Sequence, residues 1–92
     1  MNEHQRSLSE YRLEKSRSCL RMVQIAIEAD DYCTSANRSY YAIFHCMRAL
    51  LAVESIDYKK HSAVISHFQR EYIKTGVFEE KLSDYVRQAF TT

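Results

Sequence analysis

Two residues that punctuate most small folds are almost missing from this chain: proline is absent and glycine occurs once, at Gly76. Tight turns and barrel corners draw on them, glycine for positive φ and proline for a preset φ. An architecture of many short strands is therefore disfavoured. Residues that favour helices (Ala, Leu, Glu, Lys, Arg, Gln, Met) fill much of the sequence instead. The expectation is an all-α protein, an antiparallel up-and-down helical bundle. With 92 residues the chain is read as a single domain, 1–92. A domain this short hides only about 60–65% of its unfolded surface, so its core must be thin.

Four helical segments can be read, with no internal repeat and no low-complexity linker. The first opens on Ser7-Leu8-Ser9-Glu10, which has the form of a capping box. Leu13, Ser16, Leu20, Val23 and Ile27 follow at spacings of three and four, predicting an inner stripe with Arg12, Lys15 and Arg21 mostly elsewhere. Asp30 or Asp31 is placed to cap the second segment, Tyr32 to Glu54. That segment is apolar around most of its circumference, through Tyr40-Tyr41-Ala42-Ile43-Phe44 and on to Val53. Such a helix packs on several sides, and we take it as the central one. After a polar connection, Ser55 to Lys60, the third helix is predicted from His61 to Thr75. Its inner stripe is His61, Val64, Ile65, Phe68 and Tyr72, and Gly76 supplies its left-handed end. A fourth segment begins at Glu79-Glu80 and carries Leu82, Tyr85, Val86, Ala89 and Phe90 at i, i+3, i+4, i+7 and i+8. The sequence then stops at Phe90-Thr91-Thr92 without a helix-ending signal, which suggests that a further helix is missing.

The second segment also carries a hydrophilic line. At 100° per residue, Thr34, Arg38, Tyr41, His45 and Arg48 fall within roughly 80° of one another. Arginine offers a permanent forked donor to phosphate oxygens, and histidine exchanges a proton near neutral pH, as general acid–base cleavage of RNA requires. Arg38 and His45 are thus the candidate catalytic pair, with Tyr41 and Arg48 as candidate phosphate ligands. The same line is equally a solvent-facing or dimer-facing side of a bundle helix. A second polar cluster, Lys59-Lys60-His61-Ser62, sits at the predicted start of the third helix, where cations beside free backbone N–H groups make Lys60 and His61 a candidate anion site.

Other chemistry is not signalled. Thirteen basic and twelve acidic residues leave a formal charge of +1, so there is no domain-wide field for holding a nucleic-acid duplex. Glycine-rich phosphate loops, HExxH and EF-hand patterns are lacking. His4, His61 and His67 have no partners at metal-ligand intervals, and neither metal nor cofactor is expected. Cys19, Cys33 and Cys46 are read as buried reduced thiols of a cytosolic protein. The polar start, MNEHQRSLSEYRLEK, is unlike a secretory signal, and the longest apolar run, Ala49 to Val53, is far too short to span a bilayer. A cytoplasmic protein without membrane contact is expected.

Three ordered blocks carry a family resemblance. Ala36-Asn37-Arg38-Ser39-Tyr40-Tyr41-Ala42-Ile43-Phe44-His45, with Ala49-Leu50-Leu51 after it, is similar to the central-helix signature of prokaryotic HEPN domains. Lys60-His61-Ser62-Ala63-Val64-Ile65-Ser66-His67-Phe68 resembles their next block, and Tyr72-Ile73-Lys74-Thr75-Gly76 the one after. The resemblance implies a bundle of four or five helices, four of them present here. It also implies a homodimer or higher oligomer, often paired with a minimal nucleotidyltransferase as a toxin–antitoxin or nucleotide-binding system. Some HEPN proteins are metal-independent ribonucleases with an Arg-x(4–6)-His motif near the start of a late helix, paired across the dimer. Arg38-x6-His45 matches those letters but lies on the earlier, central helix, so it is not treated as the equivalent site. The subgroup this chain most resembles continues with a helix carrying an arginine and an Asp-Tyr pair, absent from this sequence. The leading expectation is a dimeric module acting with a nucleotidyltransferase partner or a nucleotide-bearing ligand. The alternatives are an RNA-cleaving toxin and a purely structural helical adaptor.

Overall fold

Helix α1, Glu3–Glu28, starts more than a turn before the Ser7 signal. In the computed structural model, which describes residues 1–76 together with Glu80, Asp84 and Arg87, the capping box is formed by Asn2 and Gln5. Gln5 N–H donates to Asn2 Oδ1 at 2.8 Å and Asn2 N–H to Gln5 Oε1 at 2.7 Å. Ser7 and Glu10 lie inside the helix. The earlier cap prevails because Gln5 also has a distant partner: its Nε2 donates to Val53 O at 2.9 Å and to Ser55 Oγ at 2.7 Å. One side chain thereby closes the start of α1 and satisfies an orphan carbonyl at the end of α2.

Helix α2, Tyr32–Val53, is unbroken and matches the predicted segment to within one residue. Asp31 caps it, accepting from Thr34 N–H at 3.1 Å. Both helices end without glycine. At the end of α1, Asp30 takes φ 57° while Asp30 N–H reaches Ile27 O and Asp31 N–H reaches Ala26 O. At the end of α2, Ser55 takes φ 58° with the same pair of bonds, to Ala52 O and Leu51 O. These are two Schellman motifs built on an aspartate and a serine, which is how so glycine-poor a sequence turns.

The chain divides into two compact units, Met1–Asp57 and Tyr58–Thr92. In the first, α1 and α2 form an antiparallel hairpin whose contact is stitched by polar side chains. Ser9 Oγ donates to Ala49 O at 3.0 Å, Arg12 Nη1 to Arg48 O at 2.9 Å and Ser16 Oγ to Ala42 O at 2.7 Å. The buried stripe of α1 is Ser9, Arg12, Ser16, Cys19 and Ala26, one residue out of step with the predicted Leu13, Leu20 and Ile27. Leu20 and Ile27 are exposed. Small residues prevail on the inside because they face small residues, Ala42, Ala49 and Ala52, among the buried side chains of α2. Phe44, Met47 and Leu51 complete the core. The apolar circumference predicted for α2 is buried only from Ala42 onward; Tyr32, Cys33, Thr34, Ala36 and Asn37 are exposed. Of the cysteines only Cys19 is buried, so the expectation for Cys33 and Cys46 is corrected.

In the second unit α3, His61–Phe68, continues into a single π-helical turn, Gln69–Ile73. Its wider ring is closed by Lys74 N–H on Gln69 O at 3.0 Å. Val64 and Phe68 are buried as expected and His67 joins them, while the extra residue moves the next inner position from Tyr72 to Ile73; His61 is exposed, and Ile65 and Tyr72 are half-buried. Gly76 follows at φ 82°, as a left-handed terminator should. His67 lies in this core, its Nδ1 3.0 Å from Tyr58 Oη. The predicted fourth helix falls outside the described residues except for Glu80, Asp84 and Arg87, which are helical. Among the described residues the protein is all-helical, with three α-helices, α1, α2 and α3, and the π-helical turn that continues α3.

Candidate functional site

The hydrophilic line on α2 starts from a chain of neighbouring planar groups. The Arg38 guanidinium carbon lies 5.1 Å from the Tyr41 ring centroid, and the Tyr41 and His45 rings are 6.1 Å apart. Arg38 is steadied further by its Nε donating to Asn37 Oδ1 at 3.0 Å. One turn on, Arg48 Nη2 meets both carboxylate oxygens of Asp57, at 3.2 and 3.3 Å. Asp57 Oδ2 also lies 3.3 Å from Arg12 Nη2. Arg38, Tyr41, His45 and Arg48 are all half-buried, so the line is neither a bare surface nor a closed core. Thr34, at its start, is exposed, and its backbone serves the α2 cap.

Helix α1 adds positive charge beside this line. Burial pushes the His45 imidazole below its ordinary value of 6.5, and the positive charges of Lys15, Arg48, Arg38 and Arg12 add to the shift in that order. His45 is therefore neutral at pH 7, with one ring nitrogen free to accept a proton. Its Nδ1 is buried and has no hydrogen-bond partner among the described residues, and the same holds for Arg48 Nε. Arg38, Arg48 and an imidazole, with two buried nitrogens unmet among the described residues, form an arrangement suited to an anion with several oxygens.

Sequence reasoning found Arg38, Tyr41, His45 and Arg48 but missed three contributors. Arg12 and Lys15 were set apart from the α1 stripe, and Asp57 was read as part of a polar connection. The spacing Ser9, Arg12, Ser16, Cys19 held the signal for Arg12, since it shares its face with the small residues. Lys60 and His61, the other candidates, are exposed and belong to the second unit. Lys60 is the N-cap residue of α3 and makes no side-chain capping bond there. The second unit also has an open cleft of about 770 Å³ lined partly by Arg70, Lys74 and Arg87. Arg70 is paired with Glu71 and Arg87 with Asp84, so its charge is mixed. Among the described residues no cluster of His, Cys, Asp and Glu is placed to hold a metal ion, and no helix is long and apolar enough to cross a membrane.

The family model of the HEPN domain matches residues 9–91. The chain belongs to the HEPN domain family. A UPF0332 protein from Thermotoga maritima is 32% identical to this HEPN chain over 90 residues, 98% of this chain and 67% of the relative. A protein of Methanocaldococcus jannaschii named as a candidate toxin is 33% identical over 78 residues, 85% of this chain and 53% of the relative. A second candidate toxin of that organism is 35% identical over 68 residues, covering 74% of this chain and 51% of the relative. This HEPN chain thus spans about half to two thirds of the length of these curated relatives. No solved structure matches it significantly.

Proposed function

We propose that this chain is a toxin-type HEPN module that works as a dimer with a minimal nucleotidyltransferase partner and offers the α2 line to a phosphate-bearing, nucleotide-like ligand. The observation that carries this reading is the half-buried line of Arg38, His45 and Arg48, in which Arg48 Nε is buried without a hydrogen-bond partner among the described residues. A buried donor left unpaired costs about 1–3 kcal/mol, part of which an anion seated there would return. The names of the two Methanocaldococcus relatives support the toxin class. Calorimetry with AMP tests the ligand: binding is expected for the wild type and about tenfold weaker for Arg38→Ala, since one charge-assisted contact contributes about 1.5–3 kcal/mol. Pull-down from the native cell tests the partner, and repeated failure to recover a nucleotidyltransferase would remove that element.

A second reading is an RNA-cleaving toxin, in which neutral His45 takes a proton and Arg38 steadies the phosphate. It is favoured by one observation, the buried and unpartnered His45 Nδ1. Expression of wild type and His45→Ala in a bacterium separates the two readings. Growth arrest and RNA cleavage by the wild type alone would establish the enzyme; equal growth with intact RNA would eliminate it.

A further inference from the structure

The Arg12–Arg48–Asp57 contact has an imperfect geometry for a purely structural ion pair. A guanidinium meets a carboxylate best through two parallel bonds from two nitrogens. Arg48 instead spends one nitrogen, Nη2, on both Asp57 oxygens, at 3.2 and 3.3 Å. Its Nε–H stays buried with no partner among the described residues. Arg12 is likewise divided, with Nη1 on the Arg48 carbonyl at 2.9 Å and Nη2 on Asp57 at 3.3 Å. The Arg12 side chain is almost fully buried and the Asp57 side chain is 57% exposed. Both cations are therefore bridged by a carboxylate that is itself mostly exposed. As placed, its two oxygens meet Arg48 Nη2 and Arg12 Nη2 and leave Arg48 Nε unmet; a phosphate presents three or more oxygens in a tetrahedron, so that one can face Arg48 Nε while others keep the two Nη2 contacts.

We propose that the Asp57 carboxylate is a stand-in for a ligand's phosphate group, so that the phosphate subsite is the Arg12–Arg48 pair and Asp57 is its built-in competitor. This rests on the proposed function above, and it adds the position of the phosphate and the residue that vacates it. Asp57 also lines a cavity of about 270 Å³ with His4, Gln5, Leu8, Ala52, Ser55 and Ile56, which gives the carboxylate room to turn into when displaced. Displacement makes apparent affinity the product of intrinsic affinity and the fraction of molecules with Asp57 released. Removing the carboxylate then tightens every phosphate ligand by the same factor, whatever is attached to the phosphate.

Calorimetry on the full chain tests this with AMP, which ends in a phosphomonoester, and the dinucleotide ApA, which has only a phosphodiester. Asp57→Asn keeps the side-chain shape and is expected to tighten both probes equally, by about fivefold, the scale of one exposed ion pair. In an Arg48→Ala background the Asp57→Asn gain is expected to vanish. Asp57→Ala serves as the second variant, and thermal melts confirm that each protein is folded. Binding to Asp57→Asn but not to wild type would also support the competitor. If wild type binds AMP and neither Asp57 variant binds more tightly, the stand-in role is wrong while the proposed function survives. If no protein binds either probe, the proposed function fails and takes this inference with it.

Discussion

Replacing Arg12 by methionine asks whether the hairpin is held by a buried arginine, as the structure requires, or by apolar contact alone. Methionine retains an unbranched stem of similar length, so little cavity is created. What disappears is the Nη1 bond to the Arg48 carbonyl, 2.9 Å long and almost fully buried, and the Nη2 contact with Asp57 at 3.3 Å. A hydrogen bond from a charged donor contributes about 1.5–3 kcal/mol. The Asp57 arm adds only about 0.2–1 kcal/mol, because that carboxylate is 57% exposed and screened by water. Removing a buried charge returns part of its desolvation cost, so the net destabilisation should be about 1.5–3 kcal/mol. In a chain of this size that lowers the midpoint of thermal unfolding by about 6–24 °C. Circular dichroism melts at 222 nm read this directly, with Arg17→Ala as an exposed control expected to fall within about 0.5 kcal/mol of wild type. An Arg12→Met protein as stable as wild type would refute the reasoning, since the α1–α2 contact would then owe nothing to its buried arginine.

Other outcomes follow from the same geometry. Phe44→Ala, in the core of the hairpin with 5% exposure, should cost about 3–5 kcal/mol in urea unfolding; a loss below about 1 would place Phe44 outside the core. Asn2→Ala should cost about 1 kcal/mol and Ser7→Ala almost nothing; the reverse order would restore the Ser7 cap. For His45 the folded pKa lies below the unfolded one, so the unfolded chain binds the proton more readily. Its contribution is complete above the ordinary value of 6.5 and is lost as pH falls below it toward the folded value. Urea midpoints measured from about pH 7.5 down to pH 5, above the usual carboxylate range, should fall for wild type and stay flatter for His45→Gln. Matching slopes would mean that the imidazole is not desolvated by the hairpin.

The helical class, the bounds of α2 and the role of Gly76 were legible because each depends on local chemistry. A backbone short of glycine and proline has few ways to turn, Asp31 caps the helix that follows it, and Gly76 takes a φ that other residues resist. Four members of the candidate site were legible for the same reason, since Arg38, Tyr41, His45 and Arg48 share a helix face by periodicity alone. The Asn2 cap, the polar stripe of α1 and the π-helical turn at Gln69–Ile73 were not. Each is decided by a partner far along the chain or by a small rotation of the helix. Leu13, Leu20 and Ile27 are more hydrophobic than Ser9, Arg12 and Cys19, and of the expected stripe only Ser16 is fully buried. The small side chains of α2, and the carbonyls of Ala42, Arg48 and Ala49 that accept from Ser16, Arg12 and Ser9, make the polar stripe the one that packs.

By itself, then, the sequence determined that the chain would be helical, where its second helix would run and which α2 side chains would line up. Tertiary structure alone decided which face of α1 turns inward, and through it that Arg12 reaches the Arg48 carbonyl and Asp57. Helix periodicity is a short-range property of the backbone, whereas a buried donor can be satisfied only when its acceptor, some thirty to forty residues away, has come into place.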